Sequence, residues 1–192
     1  MRWTQDDVIA AAFATLEQEG LEGLSLRGVA RVLGAHLNSV SWYVKTKASL
    51  IDKMADAIVG SVAVDDLPAD PVERVRTMIG RYRRAMLSHR DGGRLVAGTY
   101  TSTDRTLRVA EVIVGGLLEA GYSEADAARL CWALVYFTLG LTQEQQTTPP
   151  ADYAAPALAA YPALSKIGEP LLAHDSFDAR FDFGVARLLR LG

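Results

Sequence analysis

Cys131 is the only cysteine in a chain of 192 residues, so no internal disulfide can form and the chain suits a reducing compartment such as the cytosol. Histidine is nearly as scarce, and His36, His89 and His174 show no metal-like spacing, so no metal is expected. No apolar run approaches the roughly 20 residues of a membrane span. Arg2 and Trp3 lead into a polar, acidic stretch rather than the apolar core of a signal peptide. Positive charge is not in excess either: the formal net charge is −3, which does not advertise a partner as acidic as nucleic acid. No nucleophile has a base beside it in sequence, and Cys131 lies among apolar neighbours, where a thiol is usually inert. No segment alternates at strand period, and no internal repeat is visible.

What remains is an ordinary globular composition, 49% hydrophobic and 22% charged, with helical periodicity almost throughout. The expected fold class is all-α. Thr4 is placed to cap a helix opened by Gln5, Asp6 and Asp7, with Val8, Ile9, Ala12, Phe13 and Leu16 on its inner face and Glu19-Gly20 at its end. Ser25 caps the next helix. A later helix, capped by Thr46 or Ser49, buries Leu50, Ile51, Met54, Ala57, Ile58 and Val62. Asp65 to Pro71, with two prolines and three acids, is the best boundary in the chain. The arginine-rich helix that follows, carrying Arg74, Arg76, Arg81, Arg83 and Arg84, reads as a solvated face. Amphipathic helices are expected over 104–120 and from Ser123 to about Gln145. A looser alanine- and proline-rich connection with one short helix follows, then a last helix begun by Asp175 or Ser176.

The most informative stretch is Ser25 to Lys47, SLRGVARVLGAHLNSVSWYVKTK. Leu26, Val29, Ala30, Val32 and Leu33 give a first short helix an apolar face, and Gly34 can close it in the left-handed conformation. Leu37 to Val44 makes a second short helix, with Val40 and Val44 inward and Asn38, Ser39, Trp42 and Tyr43 outward. Exposed polar and aromatic tips on the second of two short helices suit a DNA-reading helix, and Arg27, Arg31, Lys45 and Lys47 supply local positive charge. A helical hairpin whose aromatics simply pack remains the alternative.

Residues 8–52, VIAAAFATLEQEGLEGLSLRGVARVLGAHLNSVSWYVKTKASLID, resemble the DNA-binding domain of the TetR family of one-component repressors. Met86 to Gly92 (MLSHRDG), Phe137 to Gly140 followed by Glu144, and Phe181 to Gly184 extend the likeness, in order, to the tetracycline-repressor branch of that family. The resemblance implies a three-helix, helix-turn-helix DNA-binding domain over 1–48. It also implies a helical ligand-binding and dimerisation domain over 49–192, with 49–64 as the connecting helix. It implies Arg27 as a reader of base edges, Leu37, Asn38 and Ser39 at base or methyl contacts, and Trp42, Tyr43 and Lys47 at phosphates and sugars. Ser41 departs from the tyrosine usual at its position, so the operator need not be a relative's.

In the C-terminal part Val96 stands where that branch carries its metal-binding histidine, and Met78 where it carries an asparagine that grips the ligand. The effector pocket is expected from Met78, Tyr82, Met86, Val96 and Thr99, together with Tyr100, Trp132, Tyr136, Phe137 and Glu144, with no cofactor and no metal. That set suits a largely apolar or aromatic small molecule. The segment Cys131–Leu141 and the last helix are apolar on more than one face, which fits a homodimer. The partners expected are therefore double-stranded operator DNA, a small-molecule effector and a second copy, in the cytoplasm and without a membrane. The alternative is a helical carrier or enzyme without DNA-binding activity, for which Glu144 and His89 would be the acid–base candidates.

Overall fold

The computed structural model describes residues 3–99, 103–147, 158–173 and 176–190. Among these residues the protein is all helical. α1 (Gln5–Gly23), α2 (Leu26–Leu33) and α3 (Leu37–Tyr43) form an N-terminal head, and α4 (Lys47–Gly60) leads out of it. The body comprises α5 (Pro71–Leu87), the single-turn α6 (Gly92–Val96), α7 (Asp104–Glu119), α8 (Glu124–Gln146), α9 (Pro162–Ala173) and α10 (Phe177–Leu188). A 3₁₀ turn at Leu158–Ala160 precedes α9. No helix of the described residues is long and apolar enough to cross a membrane.

Local chemistry explains the helix starts. Thr4 accepts from the Asp7 N–H while Asp7 accepts from the Thr4 N–H, a reciprocal cap, and Thr46 makes the same arrangement with Ser49. Ser25, Asp70, Thr103, Ser123 and Ser176 each accept from a backbone N–H in the first turn that they cap. α1 is interrupted at Gly20, whose φ of 70° only glycine adopts freely, so its last residues turn toward α2. Gly34 closes α2 at φ 66°, ψ 31°.

One apolar core runs from the head into the body, through Val8, Leu16, Val29, Val40 and Leu50 to Met54, Ile58, Met78, Met86, Leu95 and Leu134, each nearly or fully buried. α5 packs on α7 and α8, and α8 on α10. Gly184 lets α10 approach α8: a Cβ there would stand 2.1 Å from the Phe137 ring. The connection 148–157 and the start proposed at Asp175 lie outside the described residues.

Three of the arginines of α5, Arg74, Arg81 and Arg83, are not the solvated face that their charge suggests, whereas Arg84 is exposed. Arg81 donates to the carbonyls of Ala63, Asp65 and Asp66, and Arg74 to those of Pro68 and Ala69, so both tie the acidic connection to the helix after it. Arg83 is only 6% exposed; it reaches Asp178 and Gln145 at 2.6 Å each and lies over the Phe181 ring, joining α5 to α8 and α10. Loop carbonyls and a distant carboxylate decide this, and helix periodicity carries no trace of them.

Candidate functional site: a nucleic-acid head and an apolar cavity

The head presents α3 outward. Val40 and Val44 fill the space behind it, at 0% and 1% exposure, while Leu37, Asn38 and Trp42 face solvent, Trp42 at 83%. Ser39 is half-buried. At the start of α2, Arg27 is exposed, and neither it nor Lys45 has a partner among the described residues. Arg31 is different, being paired with Glu19. Two other expected contacts are also engaged within the protein. The Tyr43 hydroxyl donates to the Trp3 carbonyl, and Lys47 Nζ donates to the carbonyls of Leu21 (3.0 Å) and Glu22 (3.2 Å). Lys47 thus serves the end of α1 in addition to whatever it meets outside. Chemically, the face offers one free guanidinium fork, short polar tips and a large exposed ring, a set suited to base edges and sugar–phosphate.

The head is gripped by the α5–α6 corner. Arg90 Nη1 donates to the carbonyls of Glu17 (3.0 Å) and Gln18 (3.2 Å), Asp91 accepts from the Leu21 N–H (2.8 Å), and Arg94 pairs with Glu22 (2.7 Å). From the other side Gln146, at the end of α8, accepts from the Gly93 N–H and donates to the His89 carbonyl. His89 stacks on Phe13, with ring centroids 4.2 Å apart, and its Nδ1 is 3.9 Å from Glu17.

Burial pushes the His89 imidazole below its usual value, and the Glu17 charge opposes that only in part. Folding therefore favours neutral His89. Its contribution is fully present above the unfolded value near 6.5 and is lost as pH falls through the lowered folded value. The melting temperature should accordingly fall more between pH 7.5 and pH 5 in the wild type than in His89→Phe, which keeps the stack on Phe13 and cannot titrate. Equal acid sensitivity in the two proteins would remove His89 from the account.

Beneath the grip lies a cavity of about 430 Å³. Its wall is built from Val59 of α4, Tyr82 of α5, Val96 at the end of α6 with Gly98 and Thr99 beyond it, one face of α7, and α8. Of the residues expected there, Tyr82, Val96, Thr99, Trp132 and Tyr136 come together on this wall. Met78 and Met86 do not: they are fully buried in the core and border no part of the cavity. Phe137 points instead to Gly184 and Phe181, and Glu144 is exposed on α8 away from the cavity. Tyr100 lies outside the described residues.

Thr106, Val109, Ala110 and Ile113 of α7, and Cys131, Val135 and Leu139 of α8, complete the wall without having been expected. The spacing of the α7 set, i, i+3, i+4, i+7, marks one helix face; that it borders a void is a matter of how α7 meets α8. Burial pushes the Cys131 thiol up, away from reactivity. Among the described residues the wall holds no carboxylate and no imidazole, so neither His89 nor Glu144 borders the cavity.

A helix-turn-helix head clamped to a helical body with an apolar cavity joins a candidate nucleic-acid face to a candidate small-molecule site in one chain. Comparison with known proteins narrows this reading. Residues 66–190 match the model of the tetracyclin repressor-like C-terminal domain. The class E tetracycline repressor protein of Escherichia coli is 32% identical over 192 residues, covering 98% of this chain and 90% of the relative. Among solved structures, a possible TetR family transcriptional regulator from Streptomyces coelicolor A3(2) superposes with a TM-score of 0.85 at 32% identity, over 97% of each chain. A TetR variant from Acinetobacter baumannii AYE, in complex with minocycline, does so with 0.75 at 27% identity, over 97% of this chain and 94% of the other. The chain belongs to the TetR family of transcriptional regulators.

Proposed function

We propose that the protein is a repressor that binds a palindromic operator as a homodimer in the cytoplasm and is released by a small, largely apolar or aromatic effector. In this reading residues 1–48 form the DNA-binding head and 49–192 the effector and dimerisation domain, joined through 49–64. The observation that carries the proposal is the shared use of α6. Its start and Arg94 belong to the corner that holds the end of α1, and its last residue Val96, with Thr99 beyond, walls the cavity. A ligand that reshapes the cavity therefore acts on the element that orients the head. Val59 extends the same wall to α4, the helix that leaves the head.

In the reading state Arg27 faces a guanine edge, Leu37, Asn38 and Ser39 reach bases, and Trp42, Tyr43 and Lys47 lie along the backbone, the last two while keeping their contacts to α1 and Trp3. Trp132, Tyr136 and Phe183, 56–64% exposed on α8 and α10, are large apolar side chains that these two helices offer to a second copy. A dimer sets two α3 helices against half-sites about 34–36 Å apart, or a multiple of that, and an effector that alters the separation uncouples them.

Fluorescence anisotropy with DNA flanking the protein's own gene, against scrambled DNA at two salt concentrations, tests this. The expected result is preferential binding to one palindromic fragment, at two chains per duplex, with the preference surviving higher salt while overall affinity drops steeply. A folded protein that binds neither fragment at low salt would return the reading to a helical carrier or enzyme.

A further inference from the structure

We propose that the cavity selects an uncharged, flat ligand through one buried hydrogen-bond donor, the phenol of Tyr82, which binds a carbonyl-type acceptor on that ligand. This rests on the effector reading above.

Tyr82 is the buried aromatic donor in the wall that no described residue engages. It is 6% exposed, lines the cavity, and its hydroxyl makes no hydrogen bond to any described residue. Yet the hydroxyl is not sealed in: among the described residues the side-chain polar atoms enclosed without a partner are Nε of Arg76 and Nε of Arg83. Tyr82 borders the cavity, which gives a ligand held there a route to the hydroxyl. Burial pushes the phenol's ionisation far above its usual value, which keeps the proton on oxygen and makes the group a neutral donor. A buried donor without an acceptor is costly, so the site gains by receiving a ligand that brings one.

The other polar groups in the wall are committed or peripheral. The Thr99 hydroxyl donates to the Val96 carbonyl at 2.8 Å. Thr106 shares a hydroxyl network with Thr103 and Asp56 at the start of α7. Trp132 and Tyr136 are 56% and 64% exposed in the single chain, at the outer side of the wall rather than in its buried part.

The charge and shape of the wall complete the selection. With no cationic or anionic side chain bordering the cavity among the described residues, a charged ligand would lose its hydration and find no counter-ion. Trp132 and Tyr136 stack on one another, 5.5 Å between centroids and 22° between planes, so the two rings are near-parallel and do not form a cage that could enclose a cation. Aliphatic side chains of α4, α7 and α8 close the remaining sides. About 430 Å³ accommodates a fused-ring molecule.

The probes that test this are 9-fluorenone, which has one carbonyl acceptor, its hydrocarbon counterpart fluorene, and the anionic 9-oxofluorene-2-carboxylate. Their binding is measured by equilibrium dialysis with the full chain. The wild type should bind fluorenone more tightly than fluorene, and the carboxylate at least tenfold more weakly than fluorenone. Tyr82→Phe, which keeps the ring and removes the donor, should weaken fluorenone about tenfold and leave fluorene unchanged. The variant's melting temperature and DNA binding serve as checks that it is folded.

If fluorenone and fluorene bind alike and Tyr82→Phe changes neither, the donor assignment is overturned while the effector cavity stands. Carboxylate bound as tightly as the ketone overturns the selection for uncharged ligands. If the wild type binds neither neutral probe, the effector reading of the cavity falls, and this inference with it.

Discussion

Arg27→Ala should lower affinity for the operator by between about 30-fold and 10⁴-fold while leaving the protein's stability nearly unchanged. A bidentate arginine contact to guanine carries about 1–3 kcal/mol of discrimination, and a dimer makes it twice, once in each half-site. Arg27 is exposed and has no partner within the described residues, so truncating it removes no internal contact, and exposed sites of this kind typically change stability by no more than about 0.5 kcal/mol. The Ser25 cap, which accepts from the Gly28 N–H, still holds the start of α2. Anisotropy titrations of operator and scrambled DNA, with a thermal melt of the variant, separate the alternatives. If affinity for both DNAs falls by the same modest factor, Arg27 neutralises a phosphate and another residue reads the base. Lys47 offers no such clean test, because Lys47→Ala also strips two carbonyls at the end of α1 of their donor.

Gly92→Ala should be the most damaging single-methyl substitution in the body, costing about 3 kcal/mol or more and lowering the melting temperature by about 6–12 °C in a chain of this length. A Cβ at position 92 would stand 2.1 Å from the Met86 carbonyl oxygen and 3.0 Å from its carbonyl carbon. Those are backbone atoms at the end of α5, with no flexible side chain to yield, so the corner itself has to move. That corner carries Arg90, Asp91 and Arg94, the grip on α1, which makes loss of operator affinity in the surviving folded fraction a second expected effect. Gly115→Ala is the control: it sits inside α7 with nothing within 4 Å of the added carbon, and helix propensity alone should stabilise it by up to about 1 kcal/mol. A Gly92→Ala protein that melts with the wild type would show that the α5–α6 corner relaxes freely, and would take the strength out of the coupling argument.

The helical architecture was legible in the sequence because its causes are local. Thr4, Ser25, Thr46, Ser123 and Ser176 accept from N–H groups three residues on, and Gly34 closes its helix through its own backbone freedom, so each boundary is decided within a turn of the residue that signals it. The inner faces of the first four helices follow from period 3.6 in the same way. The tetracycline-repressor-like segments are local too, which is why four of them in order led to a family that the comparisons then supported.

The site depended on distance in space, and there the sequence alone ran out. Met78 and Met86 lie on the same helix as Tyr82, yet only Tyr82 borders the cavity, because the other two are sealed in the core around α5. Phe137 was drawn off by a glycine 47 positions later, and Arg83 was buried by an aspartate 95 positions later, partners that no periodicity reveals. The sequence by itself determined which residues form helices, where those helices stop and which family they make. The tertiary packing decided which apolar side chains face a void rather than one another, and which cations are free. A void is the space that several helices fail to fill together, so it belongs to none of them singly.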